Sequence, residues 1–212
     1  MDPASIALII ILIISVVIHE VAHGYAANWL GDPTARLQGR LSANPLVHLD
    51  PLMSVIIPGL LIMSHSPLLF GAAKPVPYNP YNLTNQKWGE AIVAAAGPIA
   101  NIILALIFAV IVRNAEILSL STAFIDLSVN VIMLNLFLAF FNLIPIPPLD
   151  GSKILPKFLP ATLAMKYHEL RYQMERNTFA SFLIIILAYL LIFSEPLIKA
   201  VYYAAYFLAG LG

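Results

Sequence analysis

The chain has 212 residues, 60% of them hydrophobic and only 10% charged, with a mean hydropathy of +0.88, which excludes an ordinary water-soluble domain. Eleven Lys and Arg balance eleven Asp and Glu, so there is no basic field for nucleic acid and no sign asymmetry to attract an acidic partner. Cysteine is absent, which removes disulfides and thiolate metal sites and leaves His, Asp and Glu as candidate ligands.

A helical span takes about 20 apolar residues, so the apolar runs allow roughly four to six spans within one integral membrane domain, 1–212. Residues 4–29 read as the first. The N-terminus lacks the positive region of a signal peptide, so this run is expected to persist as a membrane helix until Gly31-Asp32-Pro33 ends it. From Arg36 to Ser42, apolar Leu37 and Leu41 alternate with polar neighbours, which predicts a strand and a short hairpin over about 36–50. Composition does not separate a surface hairpin from one dipping into the membrane. Residues 52–63 are apolar but short and broken by Pro58-Gly59, so they are expected to be re-entrant or internally packed.

Two further spans are expected at about 88–112 and 124–145. The first contains Ala94-Ala95-Ala96-Gly97, which permits close helix approach, together with Pro98 and Asn101. The second ends in Asn142-Leu143-Ile144-Pro145-Ile146-Pro147-Pro148-Leu149-Asp150-Gly151, where prolines stop the helix. Residues 152–177 carry Lys153, Lys157, Lys166, Arg171 and Arg176, a positive segment expected on the cytoplasmic side, with an amphipathic surface helix at 161–176. Residues 179–211 read as a C-terminal helical hairpin turning at Ser194-Glu195. The predicted fold is an all-α polytopic membrane protein: a three-helix core, a re-entrant segment, a C-terminal hairpin and a short membrane-associated β-hairpin.

The chemistry concentrates in His19-Glu20-Val21-Ala22-His23. Ionisable groups within a membrane helix cost about 2.5–3.5 kcal/mol each on insertion scales and usually mark function. Histidines four apart project from one helix face and can share a metal ion, whereas Glu20, about 100° away, lies off the ligand line but near a water on that ion. This is a zinc-hydrolase pattern, two neutral nitrogens with a general base beside them. A catalytic zinc needs a third protein ligand. Asp150 stands at the broken end of a membrane helix and is the first candidate; Asp50 and His48 in the turn-rich segment are the alternatives. If Asp150 meets the histidines at one depth, the 4–29 and 124–145 helices run parallel. One span then separates them, which requires that 52–63 not cross.

These residues, with Gly97-Pro98-Ile99-Ala100-Asn101 and Asn142 through Gly151, resemble the site-2 protease family of intramembrane zinc metalloproteases. The stretches Gly31–Arg36, Gly39–Leu41, Asn44–Leu46 and His48–Pro51 are similar to its small prokaryotic members, which lack PDZ and CBS domains. The resemblance implies one Zn2+ held by His19, His23 and Asp150, with Glu20 as the catalytic glutamate. Asn142 would orient the substrate, and Asn101 and His48 are further candidates for that role. It also implies cleavage within or near transmembrane segments of protein substrates, in a prokaryotic cytoplasmic membrane with the active site toward the cytoplasm. The competing readings are a metal-ion transporter and a proteolytically inactive relative that binds membrane proteins.

Overall fold

The computed structural model of the protein describes residues 3–48 and 74–210, which fall into two compact units, Met1–Gln86 and Lys87–Gly212. Four of the described helical stretches are long and apolar enough to cross a membrane: Ile6–Trp29, Gly89–Arg113, Thr122–Asn142 and Phe179–Ala209.

The first unit is built on α1 (Pro3–Trp29), an apolar run with its one proline in the first turn, where a missing N–H costs nothing. Gly31 ends it. At φ 101° it takes a left-handed conformation, its N–H bonds Asn28 O, and the next amide, Asp32, reaches back to Ala27 O at 2.9 Å. A Cβ at Gly31 would lie 2.9 Å from Thr84 Cγ2, so the site has no room for a side chain either.

Asp32 is completely buried and ties this corner together. Its carboxylate accepts bonds from Thr34 N, Thr34 Oγ1, Asn82 Nδ2 and Asn79 N, while Thr84 N donates to Leu30 O at 2.8 Å. Burial alone would push the Asp32 carboxyl up, but the bonds from Thr34, Asn82 and Asn79 outweigh it and hold the carboxyl below its usual range.

The predicted strand over 36–42 is not there. Thr34–Leu37 forms a helical turn, α2, followed by Gly39 at φ 65° and a 3-10 turn at Pro45–His48; no strand occurs among the described residues. The physical reason is local. Asp32 captures the amide and hydroxyl of Thr34, which starts a turn, and among the described residues no neighbouring strand offers the ladder that alternation alone cannot supply. Asp50 and the segment 52–63 lie outside the described residues.

In the second unit α3 (Gly89–Arg113) and α4 (Thr122–Asn142) pack along their length with the C-terminal helix. Their shared core is Ala105, Ala109 and Val112 on α3, Ile132 and Leu136 on α4, and Val201, Ala205 and Ala209 on the third helix. Alanines at four-residue spacing let backbones approach closely, the packing that drives helix association in lipid. A buried polar pair crosses the same interface: Asn101 Nδ2 donates to Asn135 Oδ1 at 2.8 Å, and Asn135 Nδ2 donates to Val131 O.

A short helix, α5 (Gly151–Ile154), and a 3-10 turn at Leu155–Phe158 lead to the surface helix α6 (Ala161–Arg176), which has no buried residue. Contacts from α6 include the Arg171–Glu90 pair at 2.8 Å and the Tyr167 hydroxyl donating to Pro145 O at 2.9 Å.

The expected C-terminal hairpin is instead a continuous helical path. It runs through α7 (Thr178–Ala188), a π-helical turn at Tyr189–Phe193 and α8 (Ser194–Ala209), with Ser194 and its neighbours in right-handed helical conformation. Ser194-Glu195-Pro196 reads as a turn because proline clashes with the carbonyl four residues back. The wider π turn just before it absorbs that clash, so the helix continues. Arg113, in the last turn of α3, donates to Phe207 O and Leu208 O, placing a cation on the orphan carbonyls at the end of α8.

Candidate metal centre

In the first unit, helical spacing stacks His19 and His23 with ring centroids 4.7 Å apart and planes at 88°, so nitrogens of both rings can converge on one ion. His19 is buried and His23 half-buried.

Gly24 lets a loop press against the helix beside this pair. A Cβ there would sit 2.5 Å from Leu41 Cδ2 and 2.9 Å from Val76 Cγ1. Because the loop comes so close, the Val76 N–H donates to Glu20 Oε2 at 2.9 Å, fixing one oxygen of the carboxylate. Behind the strap 74–76 lies Arg40, itself buried, whose guanidinium donates to Val47 O, to Lys74 O at 2.8 Å and to Pro75 O at 3.3 Å.

His48 is also spent on this loop. Its Nε2 is 2.8 Å from Ser42 O, which can only accept, so that nitrogen carries the proton; the His48 carbonyl accepts from Lys74 N. Its Nδ1 is buried with no hydrogen-bond partner among the described residues. Sequence reasoning missed both Arg40 and the Val76 amide. Arg40 stood on the polar side of an imagined strand, and a backbone N–H leaves no mark in a side-chain pattern.

In the second unit the Pro-rich turn after α4 carries Asp150, which is 7% exposed. It occupies the N-cap position of α5 but makes no side-chain cap bond, so a purely capping role is not what holds it. Gly151 fixes its position: a Cβ there would lie 2.1 Å from Leu143 O and 2.7 Å from Ile144 O, so the backbone after Asp150 lies directly on the end of α4. Asn142, on the last turn of α4, donates from Nδ2 to its own helix at Leu138 O, 2.9 Å away. Asn101 is fully buried and donates to Asn135 within the helix interface.

Peptidase family M50 matches the chain over residues 7–129 and 113–190. Among curated proteins it is 39% identical over 165 residues to "Putative zinc metalloprotease YwhC" of Bacillus subtilis, covering 75% of this chain and 72% of that one. It is 32% identical over 174 residues to "Putative zinc metalloprotease Rip2" of Mycolicibacterium smegmatis, covering 76% and 62%. It is 27% identical over 171 residues to "Zinc metalloprotease MJ0392" of Methanocaldococcus jannaschii, covering 77% of this chain but 36% of that longer protein. No solved structure matches the chain. With four apolar helices of spanning length and a family match across most of its residues, the chain is an integral membrane protein that belongs to peptidase family M50, the site-2 protease family.

Proposed function

We propose that the protein is a zinc-dependent intramembrane endopeptidase, cutting peptide bonds in or near transmembrane segments of membrane proteins. The observation that carries this reading is the His19/His23 pair on one face of a spanning-length helix, with the adjacent Glu20 carboxylate fixed by a backbone N–H. Zinc is the metal that the relatives' names imply, and two imidazoles with one carboxylate form a donor set that suits it. His19, His23 and Asp150 are the proposed ligands, Asp150 being a buried carboxylate that its own helix does not use as a cap.

Bound zinc would supply Lewis-acid polarisation of the scissile carbonyl and lower the pKa of the attacking water. Glu20 takes a proton at Oε1, Oε2 being engaged by Val76, from the water whose oxygen bonds to the scissile carbonyl carbon, and delivers it to the amine nitrogen as the C–N bond breaks. Asn142 is the proposed support for the substrate backbone near the break. The substrate helix has to unwind before attack, because its carbonyls are otherwise hydrogen-bonded within the helix. The proposed setting is a prokaryotic cytoplasmic membrane, with the site toward the positively charged cytoplasmic loop.

The test is cleavage of a transmembrane reporter in liposomes by wild type, Glu20→Gln and His23→Ala, with zinc measured in each. Glu20→Gln should keep zinc and lose cleavage, and His23→Ala should lose both. Undiminished cleavage by Glu20→Gln would end the protease reading.

A further inference from the structure

We infer that Arg40 is a positioning residue for the proton-transfer step, acting on Glu20 through the strap 74–76; this rests on the proposed role of Glu20 as proton acceptor.

The connection is short: hydrogen bonds at either end of one peptide link. Arg40 Nη2 donates to Lys74 O at 2.8 Å and Pro75 O at 3.3 Å, and the next residue, Val76, donates its N–H to Glu20 Oε2 at 2.9 Å. Arg40 also donates to Val47 O, and Lys74 N is bonded to His48 O, so the 45–48 turn and the strap are held by one guanidinium. The strap has no regular secondary structure, and Pro75 within it and Pro77 just after it cannot donate. Among the described residues, the polar contacts setting its height over α1 are the His48–Lys74 bond and those with Arg40 and Glu20.

A guanidinium suits this task because its planar fork reaches several carbonyls at once, whereas an ammonium is a single point. Arg40 is only 8% exposed, and its two terminal nitrogens have exchanged water for these carbonyls, while Nε is buried without a partner among the described residues. A carboxylate with one oxygen fixed presents the other in a defined direction. Without the Val76 bond Glu20 is free to rotate, and its proton-accepting oxygen is correctly placed for a smaller share of the time.

The test uses the full-length protein in liposomes with a transmembrane reporter. Arg40→Lys keeps the charge and loses the fork. It should lower kcat by about 10- to 100-fold, as loss of an orienting partner does, with KM and zinc content unchanged. Hydrogen exchange at the Val76 amide, slow in wild type, should accelerate in the same variant without substrate present. Val76→Pro removes the donor, together with the valine side chain, and should reproduce the kcat loss.

Wild-type kcat in Arg40→Lys with a still-protected Val76 amide would overturn the inference. So would a loss that tracks falling zinc content, which marks a structural role. If Glu20→Gln cleaves normally, the protease reading has failed; if Glu20→Gln is inactive and Arg40→Lys is not, only the role of Arg40 has failed.

Discussion

Replacing Asp32 tests whether one buried carboxylate holds the end of α1 to the 79–84 loop. In Asp32→Ala four donors lose their acceptor at once: the Thr34 amide and hydroxyl, the Asn79 amide and the Asn82 side chain. Bonds to a charged group are worth about 1.5–3 kcal/mol each, but they do not add, since the Thr34 hydroxyl and the Asn82 amide can turn toward water. The two backbone amides cannot, so the expected cost is about 3–5 kcal/mol, and about half that for Asp32→Asn, which keeps one acceptor oxygen.

The acid dependence follows from the sign of the shift. The folded-state carboxyl sits below its ordinary value of 3.8, so its contribution is fully present above the unfolded pKa and is lost as pH falls through the folded one. Wild type should lose stability below about pH 4, and Asp32→Asn should lose less over the same range. Thermal unfolding in detergent and proteolysis of the 79–84 loop, each followed between pH 3 and 7, report both effects. An Asp32→Ala protein that melts and resists protease like wild type would refute the reasoning.

Two glycine substitutions separate overpacking from backbone strain. Gly151→Ala places a methyl 2.1 Å from Leu143 O, a backbone atom that cannot rotate aside, so it should cost about 3 kcal/mol or more and lower bound zinc. Gly39→Ala, with nothing within 4 Å but φ at 65°, should cost only about 1 kcal/mol, and paired melting curves separate the two causes. For the Asn101–Asn135 bond, interhelical hydrogen bonds in membranes average about 0.6 kcal/mol and reach about 1.7. Asn101→Leu alone should cost more than that because it strands Asn135, and adding Asn135→Leu should recover part of the loss in a double-mutant cycle in mixed micelles.

The His19–Glu20–His23 cluster was legible because helical spacing alone fixes it: four residues on a helix mean one face whatever surrounds it. Asp150 was legible as a candidate by elimination, since few carboxylates stand at membrane helix ends. What the pattern concealed was long-range. Arg40 looked like one polar position in an alternating run, and only the arrival of residues 74–76 adds two carbonyls to that of Val47. Asn101 offered an amide in a membrane helix, and its partner lay 34 positions later on another helix. Ser194-Glu195-Pro196 carried the marks of a turn, but in an apolar stretch every backbone group must find an internal partner, and a widened helical turn meets that demand better than an open bend.

That widened turn has a consequence for helix phase. Before it the inward-facing positions are Ser181 and Ile185; after it they are Leu197, Val201, Ala205 and Ala209. An unbroken α-helix turns about 100° per residue, so over the twelve positions from Ile185 to Leu197 it would overshoot whole turns by about 120°. One surplus residue taken up in the π turn at Tyr189–Phe193 subtracts about 100°, returning Leu197 to within about 20° of the direction of Ile185. The local irregularity acts as a phase correction, keeping a single inward stripe from Ser181 to Ala209.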